Sequence, residues 1–322
     1  MPKRVPLPTG FDRAPFAVAH ARAAGLGEKR LRGSDLSRPF HGVRVSTSAE
    51  VDHRARLLAP RMPPTHFFSH LTAARLLGLP LPARLAARDE LHVGVRSPGR
   101  APRIAGVSGH QFSAQLAPLV EVDGLRLTDP VDTWCSLSTM LTVRELVIVG
   151  DALVRRKNPI SSMAELEQAV RNHHGRRGST HLHRAFALVR ARTDSVRETV
   201  LRLLIIDAGL PEPVVNVPIL DAHGVFVGFG DLAYPEFRVL VEYDGGQHRE
   251  DEKQFNDDID RLDRIMELRW RVIRVNKSHL GSRRDVILAR IRTALVDAGW
   301  KPPPVGRNRP RIPRSHLPVD GL

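Results

Sequence analysis

Residues 226–248 read FVGFGDLAYPEFRVLVEYDGGQH, and this stretch decides the fold of the C-terminal third. Two apolar, β-rich runs, FVGFGDLAY and FRVLVEYDG, flank a corner at Pro235, as consecutive strands do. Asp231 follows the glycine-rich GFG segment, as if opening a strand after a turn, and Glu242 and Asp244 end the next strand. Because side chains alternate with a period of two, positions 242 and 244 share one strand face. A carboxylate pair ending an otherwise apolar strand is unfavourable unless a positive charge compensates it. A hard divalent cation such as Mg²⁺ or Mn²⁺ does so, because it prefers carboxylate oxygens. Gly245 and Gly246 leave room for a backbone to approach, and Gln247 and His248 follow at once.

The flanking segments supply a frame. Upstream, Ser195 and Glu198 have capping-box spacing, Leu201, Leu204 and Ile205 carry an apolar helical stripe, and Gly209 with Pro211 ends the helix. PVVNVPIL then reads as a strand. Downstream, residues 251–268 read as a helix with Phe255, Ile259, Leu262 and Met266 on one face, and RVIRV as another strand. Ser282 with Asp285 is expected to cap a last helix that ends at Gly299. The order is α-β-β-β-α-β-α. On that frame Glu198 is placed to add an oxygen to a cation held by Asp231 and Glu242. Such a site activates a water and neutralises charge developing on a phosphate.

Each acid also has an ordinary explanation. Glu198 suits the capping box, Asp231 a turn, Asp244-Gly245 a second turn, and His248 a solvated surface. Asp251, Asp257, Asp258, Asp260 and Asp263 read as capping and a solvated face, with Arg261 and Arg264 interleaved. The individual explanations leave the coincidence on one αβββαβ frame unaccounted for.

The chain has 322 residues, about two domains at ~150 residues each. Hydrophobic residues at 42% and charged residues at 26% exclude wholesale disorder. No run approaches the ~18 apolar residues of a membrane span. MPKRVPLPTG lacks the apolar stretch of a secretory signal, and one cysteine, Cys135, cannot build a disulfide framework or a cysteine-rich zinc site. A cytoplasmic protein is expected. The 49 Lys and Arg against 35 Asp and Glu give +14, which favours a polyanion such as duplex DNA through counterion release. Aromatic residues at 5% argue against base stacking as the main contact.

The charge is uneven. Residues 1–60 hold 11 basic and 5 acidic residues and residues 61–190 hold 17 and 10, whereas 191–300 hold 16 and 19. An acidic segment in a basic chain suits a domain whose positive charge arrives as metal. Residues 1–60 read as two short helices and a β wing, the outline of a winged helix-turn-helix, with Lys29, Arg30 and Arg32 on its recognition element. A solvated basic helix explains those residues equally well. Residues 61–190 read as a mixed α+β domain ending in a hinge, with HFFSHLTAARLLGLPLP as a helix, DELHVGVRSP as a strand and a helix after Pro130. HHGRRGSTHLHRAF gathers His173, His174, His181 and His183. Without acidic or cysteine partners, a Gly- and Arg-rich hinge is favoured there over a metal site. Residues 301–322, with six prolines, read as a disordered basic tail.

SVRETVLRLLIIDAGLPEP, GDLAYPEFRVLVEYDGGQH and DIDRLDRIMELRWRVIRV make segment 195–275 resemble the Vsr-like endonuclease domains of the PD-(D/E)xK superfamily. The resemblance implies a restriction-endonuclease-like, metal-dependent phosphodiesterase fold, with Asp231 and Glu242 as ligands of Mg²⁺ and Glu198 as a helix-borne acid. Asp244 stands where the superfamily's lysine usually stands, which leaves the general base open. His248 is the candidate, since very-short-patch-repair enzymes work with an Asp and a His. The zinc cysteines and aromatic wedge of those enzymes are absent, so mismatch specificity is not implied. Arg269 stands where such domains commonly carry glycine, at a helix C-terminus. Residues 11–155 more loosely resemble the AbiEi-type antitoxin, a transcriptional autorepressor of a type IV toxin–antitoxin pair, through the basic N-terminal segment, HLTAARLLGLPLP and GLRLTDPVDTWCSLS. This implies operator DNA binding and a cognate toxin as partner. The leading expectation is a DNA-binding protein with a Mg²⁺-dependent endonuclease domain. The alternative is an AbiEi-like repressor whose nuclease fold is catalytically inactive.

Overall fold

The computed structural model describes residues 6–245 and 252–303 and shows a mixed α/β protein. The chain divides into two compact units, Met1–Gly78 with Arg84–Ser136 and Leu79–Ala83 with Leu137–Leu322. Among the described residues, no helix is long and apolar enough to cross a membrane.

The first unit runs β1 (Phe16–Ala17), α1 (Val18–Ala23), α2 (Glu28–Leu31), β2 (Leu36–Ser37), β3 (Val43–Ser46), α3 (Arg54–Leu58), β4 (His66–Phe68), α4 (His70–Leu76), α5 (Ala83–Ala86), β5 (Leu91–Arg96), β6 (Val107–Phe112), β7 (Val120–Val122), β8 (Leu125–Leu127) and α6 (Pro130–Leu137). A three-stranded sheet has the order β1-β3-β2 and a five-stranded sheet the order β6-β5-β4-β8-β7. In the larger sheet β5–β6 and β4–β8 pair parallel, while β4–β5 and β7–β8 pair antiparallel. Phe40, Val43, Ala55 and Leu58 share one core with Phe68, Leu91, Val93 and Leu127, so packing continues across the expected division after residue 60. The expected helix at HFFSHLTAARLLGLPLP is a strand followed by a helix. Phe67 and Phe68 are both buried, which a sheet covered on both faces permits and an amphipathic helix surface does not.

The second unit runs α7 (Val143–Leu153), α8 (Met163–Asn172), α9 (Ser179–Phe186), α10 (Val196–Asp207), β9 (Val214–Leu220), β10 (Phe226–Tyr234), β11 (Val239–Tyr243), α11 (Glu252–Glu267), β12 (Arg271–Val275), α12 (Lys277–Leu280) and α13 (Arg284–Asp297). From α10 the elements follow the expected order, with α12 added. The sheet order is β12-β11-β10-β9, antiparallel except for the β11–β12 pair. A parallel pair needs a crossover, and α11 provides it.

Alternation places successive side chains on opposite faces. Leu232, Val239 and Val241 pack with Leu201 and Ile205 of α10 and Ile287 and Ile291 of α13. Ala233 and Leu240 pack with Ile219 and with Ile265 of α11. Helix α11 is rolled from its expected orientation: Leu262 and Ile265 are buried, while Ile259 and Met266 are 39% and 49% exposed. The roll brings Arg261 to the sheet. The expected Ser282 cap does not form; Arg283 is the N-cap of α13 without a side-chain bond, and Asn276 caps α12 instead. Arg269 has φ +62°, the left-handed conformation in which helices commonly end. At the outer strand β9, Pro218 lies opposite Phe229, and Val214, Leu220 and the neighbouring Phe226 are about half exposed.

Helices α7 and α10 meet through buried charge. The Arg202 Nη2 donates to Asp151 Oδ2 at 2.8 Å and its Nη1 to Glu212 Oε1 at 3.0 Å. Thr199 Oγ1 and the Arg190 amide also donate to Asp151, each at 2.8 Å. This network crosses the expected division after residue 190.

Candidate functional site

Three acids of the second unit form a charged cluster. Ser195 starts α10 by accepting the Glu198 amide at 3.2 Å. Glu198 is buried, and its Oε2 accepts the Asp194 amide at 2.9 Å and Asn216 Nδ2 at 3.0 Å. Asn216 lies in β9 with φ +45°, a conformation that asparagine tolerates better than most residues. Burial raises the Glu198 carboxyl above its ordinary range despite those donors.

Asp231 does not open a strand after a turn; it lies within β10. The glycines before it serve close approach. A Cβ at position 230 would stand 2.5 Å from Leu240 Cδ1, and one at 228 would stand 2.8 Å from Arg261 Cδ. Asp231 is bonded across β10 and β11 twice: its amide donates to Glu242 Oε1 at 3.2 Å and its Oδ2 accepts the Tyr243 amide at 2.8 Å. Arg261 reaches over Gly228 to donate to the Phe229 carbonyl at 2.8 Å and to Glu242 Oε2 at 3.1 Å. The Asp231 carboxyl is held well above the usual range, first by burial and then by the negative charges of Glu242 and Glu198; the Tyr243 amide and Arg261 oppose this. Arg261 compensates the charge of Glu242, while Asp231 has the Tyr243 amide as its donor.

The other expected residues lie elsewhere or are engaged. Asp244, just past β11, pairs with Arg274 of β12 at 2.8 Å. His248 lies outside the described residues, as do residues 304–322 of the expected tail. Lys29 and Arg32 are exposed at the single-turn α2. Arg30 is not available to a duplex in the way expected. It donates to Asp35 at 3.1 and 2.8 Å with its side chain 9% exposed, so it ties α2 to the start of the following strand.

In the second unit His173 contacts the Arg177 carbonyl and His183 that of Ser179, and the His174 and His183 rings meet edge to face at 6.2 Å with no third ligand brought to them among the described residues. A different trio converges in the first unit. His70, His92 and His110, from α4, β5 and β6, each place a ring nitrogen within 4.8 Å of the other two, as no other three histidine, cysteine or acidic residues do among the described residues. The acidic trio is therefore wider. Burial depresses the histidine trio, His70 to about 2 and His92 to about 4, and lowers His110 as well.

No protein-family model matches the chain, and no solved structure does. The chain is similar to two uncharacterized proteins of Mycobacterium tuberculosis, MT2308 of strain CDC 1551 / Oshkosh and Rv2248 of strain ATCC 25618 / H37Rv. Each is 28% identical over 245 residues, which span 76% of this chain and 86% of the relative.

Proposed function

We propose that the protein binds DNA and that its second unit is a Mg²⁺- or Mn²⁺-dependent endonuclease with a restriction-endonuclease-like core. The observation that carries this reading is the pairing of Asp231 with Glu242 across β10 and β11, with the charge of Glu198 acting on Asp231, on the α-β-β-β-α-β frame. Asp231 and Glu242 would hold the ion, which supplies Lewis-acid activation of a phosphodiester and of a water. The Tyr243 amide fixes the Asp231 carboxylate. Arg261 orients Glu242 and keeps part of its charge neutral before an ion binds. His248 is the proposed general base, and Lys29 and Arg32, within a winged helix-turn-helix, the proposed phosphate contacts. The test is plasmid cleavage by purified protein with Mg²⁺ or Mn²⁺. Cleavage by the wild type and its loss in Asp231→Ala and Glu242→Ala are expected. Equal cleavage by all three proteins, or none with either metal, overturns the enzymatic reading.

A second reading, the AbiEi-like repressor, is supported by Asp244: the resemblance puts it where the superfamily's lysine usually stands, and it is engaged by Arg274 at 2.8 Å. It expects sequence-specific binding to the protein's own promoter, insensitive to chelators and steeply weakened by salt. Binding lost on adding EDTA rejects it.

A further inference from the structure

We propose that His70, His92 and His110 form a three-histidine site in the first unit for a divalent transition metal, Zn²⁺ rather than Mg²⁺. The inference is independent of the nuclease reading, whose acids lie in the second unit. Three uncharged imidazoles offer three nitrogen lone pairs, a donor set that suits zinc and its neighbours and does not suit magnesium. The rings come from three elements, with His92 and His110 on strands paired in parallel. That frame is packed so closely that a Cβ at Gly94 would stand 2.4 Å from the Phe67 ring and 2.7 Å from that of Phe112.

Two details point to a ligand. His92 Nε2 is buried without a hydrogen-bond partner, an unfavourable state for a ring nitrogen that an ion relieves. His70 is held at φ +48°, a strained conformation for a histidine, and strain of this kind gathers at functional sites. Ser69 Oγ lies 3.1 Å from His70 Nδ1, which orients the ring and leaves Nε2 to bind. The rings stack: His70 and His110 have centroids 3.7 Å apart, and His92 Nδ1 and His110 Nε2 lie 2.9 Å apart. Tetrahedral coordination with Zn–N bonds of about 2.0–2.1 Å separates two ligand nitrogens by roughly 3.4 Å, inside the 4.8 Å that spans one ring nitrogen from each of the three histidines. Three protein ligands leave a fourth position for water, and the charge of Glu90 acts on both His92 and His110.

The test uses tag-free, full-length protein stripped with a chelator. It is titrated with Co²⁺, read by its visible absorption, and with Zn²⁺, read by elemental analysis after dialysis in millimolar Mg²⁺. One ion per chain and a tetrahedral Co²⁺ spectrum are expected. His110→Ala is expected to weaken uptake at least ~10-fold. His70→Asn is expected to do the same and serves if His110→Ala misfolds, since asparagine tolerates the left-handed conformation. Asp231→Ala with Glu242→Ala should leave uptake unchanged. Absence of bound metal in folded wild type, undiminished uptake in His70→Asn, or loss of uptake only in the acid variants overturns the site.

Discussion

Replacing Arg202 by methionine removes the positive partner of a carboxylate that water does not reach. Arg202 and Asp151 have side chains 0% and 1% exposed, joined at 2.8 Å. Methionine fills much of the volume of the arginine stem, so the cavity contribution is small. What remains is Asp151 with two neutral donors, Thr199 Oγ1 and the Arg190 amide. Breaking one side of a buried pair in this way costs about 3–5 kcal/mol. For a unit of this size each kcal/mol lowers the melting temperature by about 2–4 °C, giving a fall of roughly 6–20 °C. The pH dependence has a definite sign. Burial already raises the Asp151 carboxyl despite the attraction of Arg202, and removing Arg202 raises it further. A carboxyl raised in the folded state destabilises it increasingly as pH climbs above the unfolded value. The variant is therefore closest to wild type near pH 4–5 and furthest from it near pH 8. Arg202→Met with Asp151→Asn should recover most of the loss, because the asparagine is neutral and can still accept from the Arg190 amide. Calorimetry of the three variants at pH 5 and pH 8 checks this. A fall below about 2 °C, no pH dependence, or a double variant as weak as the single one refutes the argument.

Three further outcomes are expected. Asp231→Asn relieves a carboxyl raised by its neighbours, so the variant should gain about 0.5–2 kcal/mol near pH 8, with the gain vanishing toward pH 4, as read by urea denaturation. Arg269→Gly relieves a left-handed arginine and should stabilise the second unit by about 0.5–1 kcal/mol, less than the conformational strain because glycine also gains freedom when unfolded. Lys29→Ala and Arg32→Ala should each lower the salt-dependence slope of DNA binding by about 1, whereas Arg30→Ala should chiefly destabilise the N-terminal strand–helix segment.

The order of elements from α10 to α13 was legible because its signals are local. Ser195 marks a helix start, and positions 239, 240 and 241 alternate between two faces as the period of a strand demands. The nearness of Asp231 to Glu242 was legible to the same degree, since both lie on strands that turn back on each other, whereas with Glu198 they do not converge within 4.8 Å. Arg261 was not. Among Asp260, Asp263 and Arg264 it has the pattern of a solvated face, and only the packing of Leu262 and Ile265 shows that the helix rolls it inward over Gly228. Asp231 was misplaced for a related reason: the glycines that read as a turn are gaps through which Leu240 and Arg261 approach the strand. Arg30 looked like its neighbours Lys29 and Arg32 because nothing in charge alone reveals a partner at Asp35. The histidine trio is carried on a helix and two strands far apart in sequence, while the conspicuous local cluster at 173–183 does not converge.

Pro218 in the outer strand bears on how copies of the protein meet. A sheet margin with exposed apolar groups, such as Val214 and Leu220 at the two ends of β9 and Phe226 beside them, is a template on which a stranger's backbone can zip. Zipping needs an unbroken row of amide hydrogens, and a pyrrolidine nitrogen has none to give. The strand is thus capped sideways by its own covalent chemistry, which lets the domain keep a greasy rim without growing into a fibre.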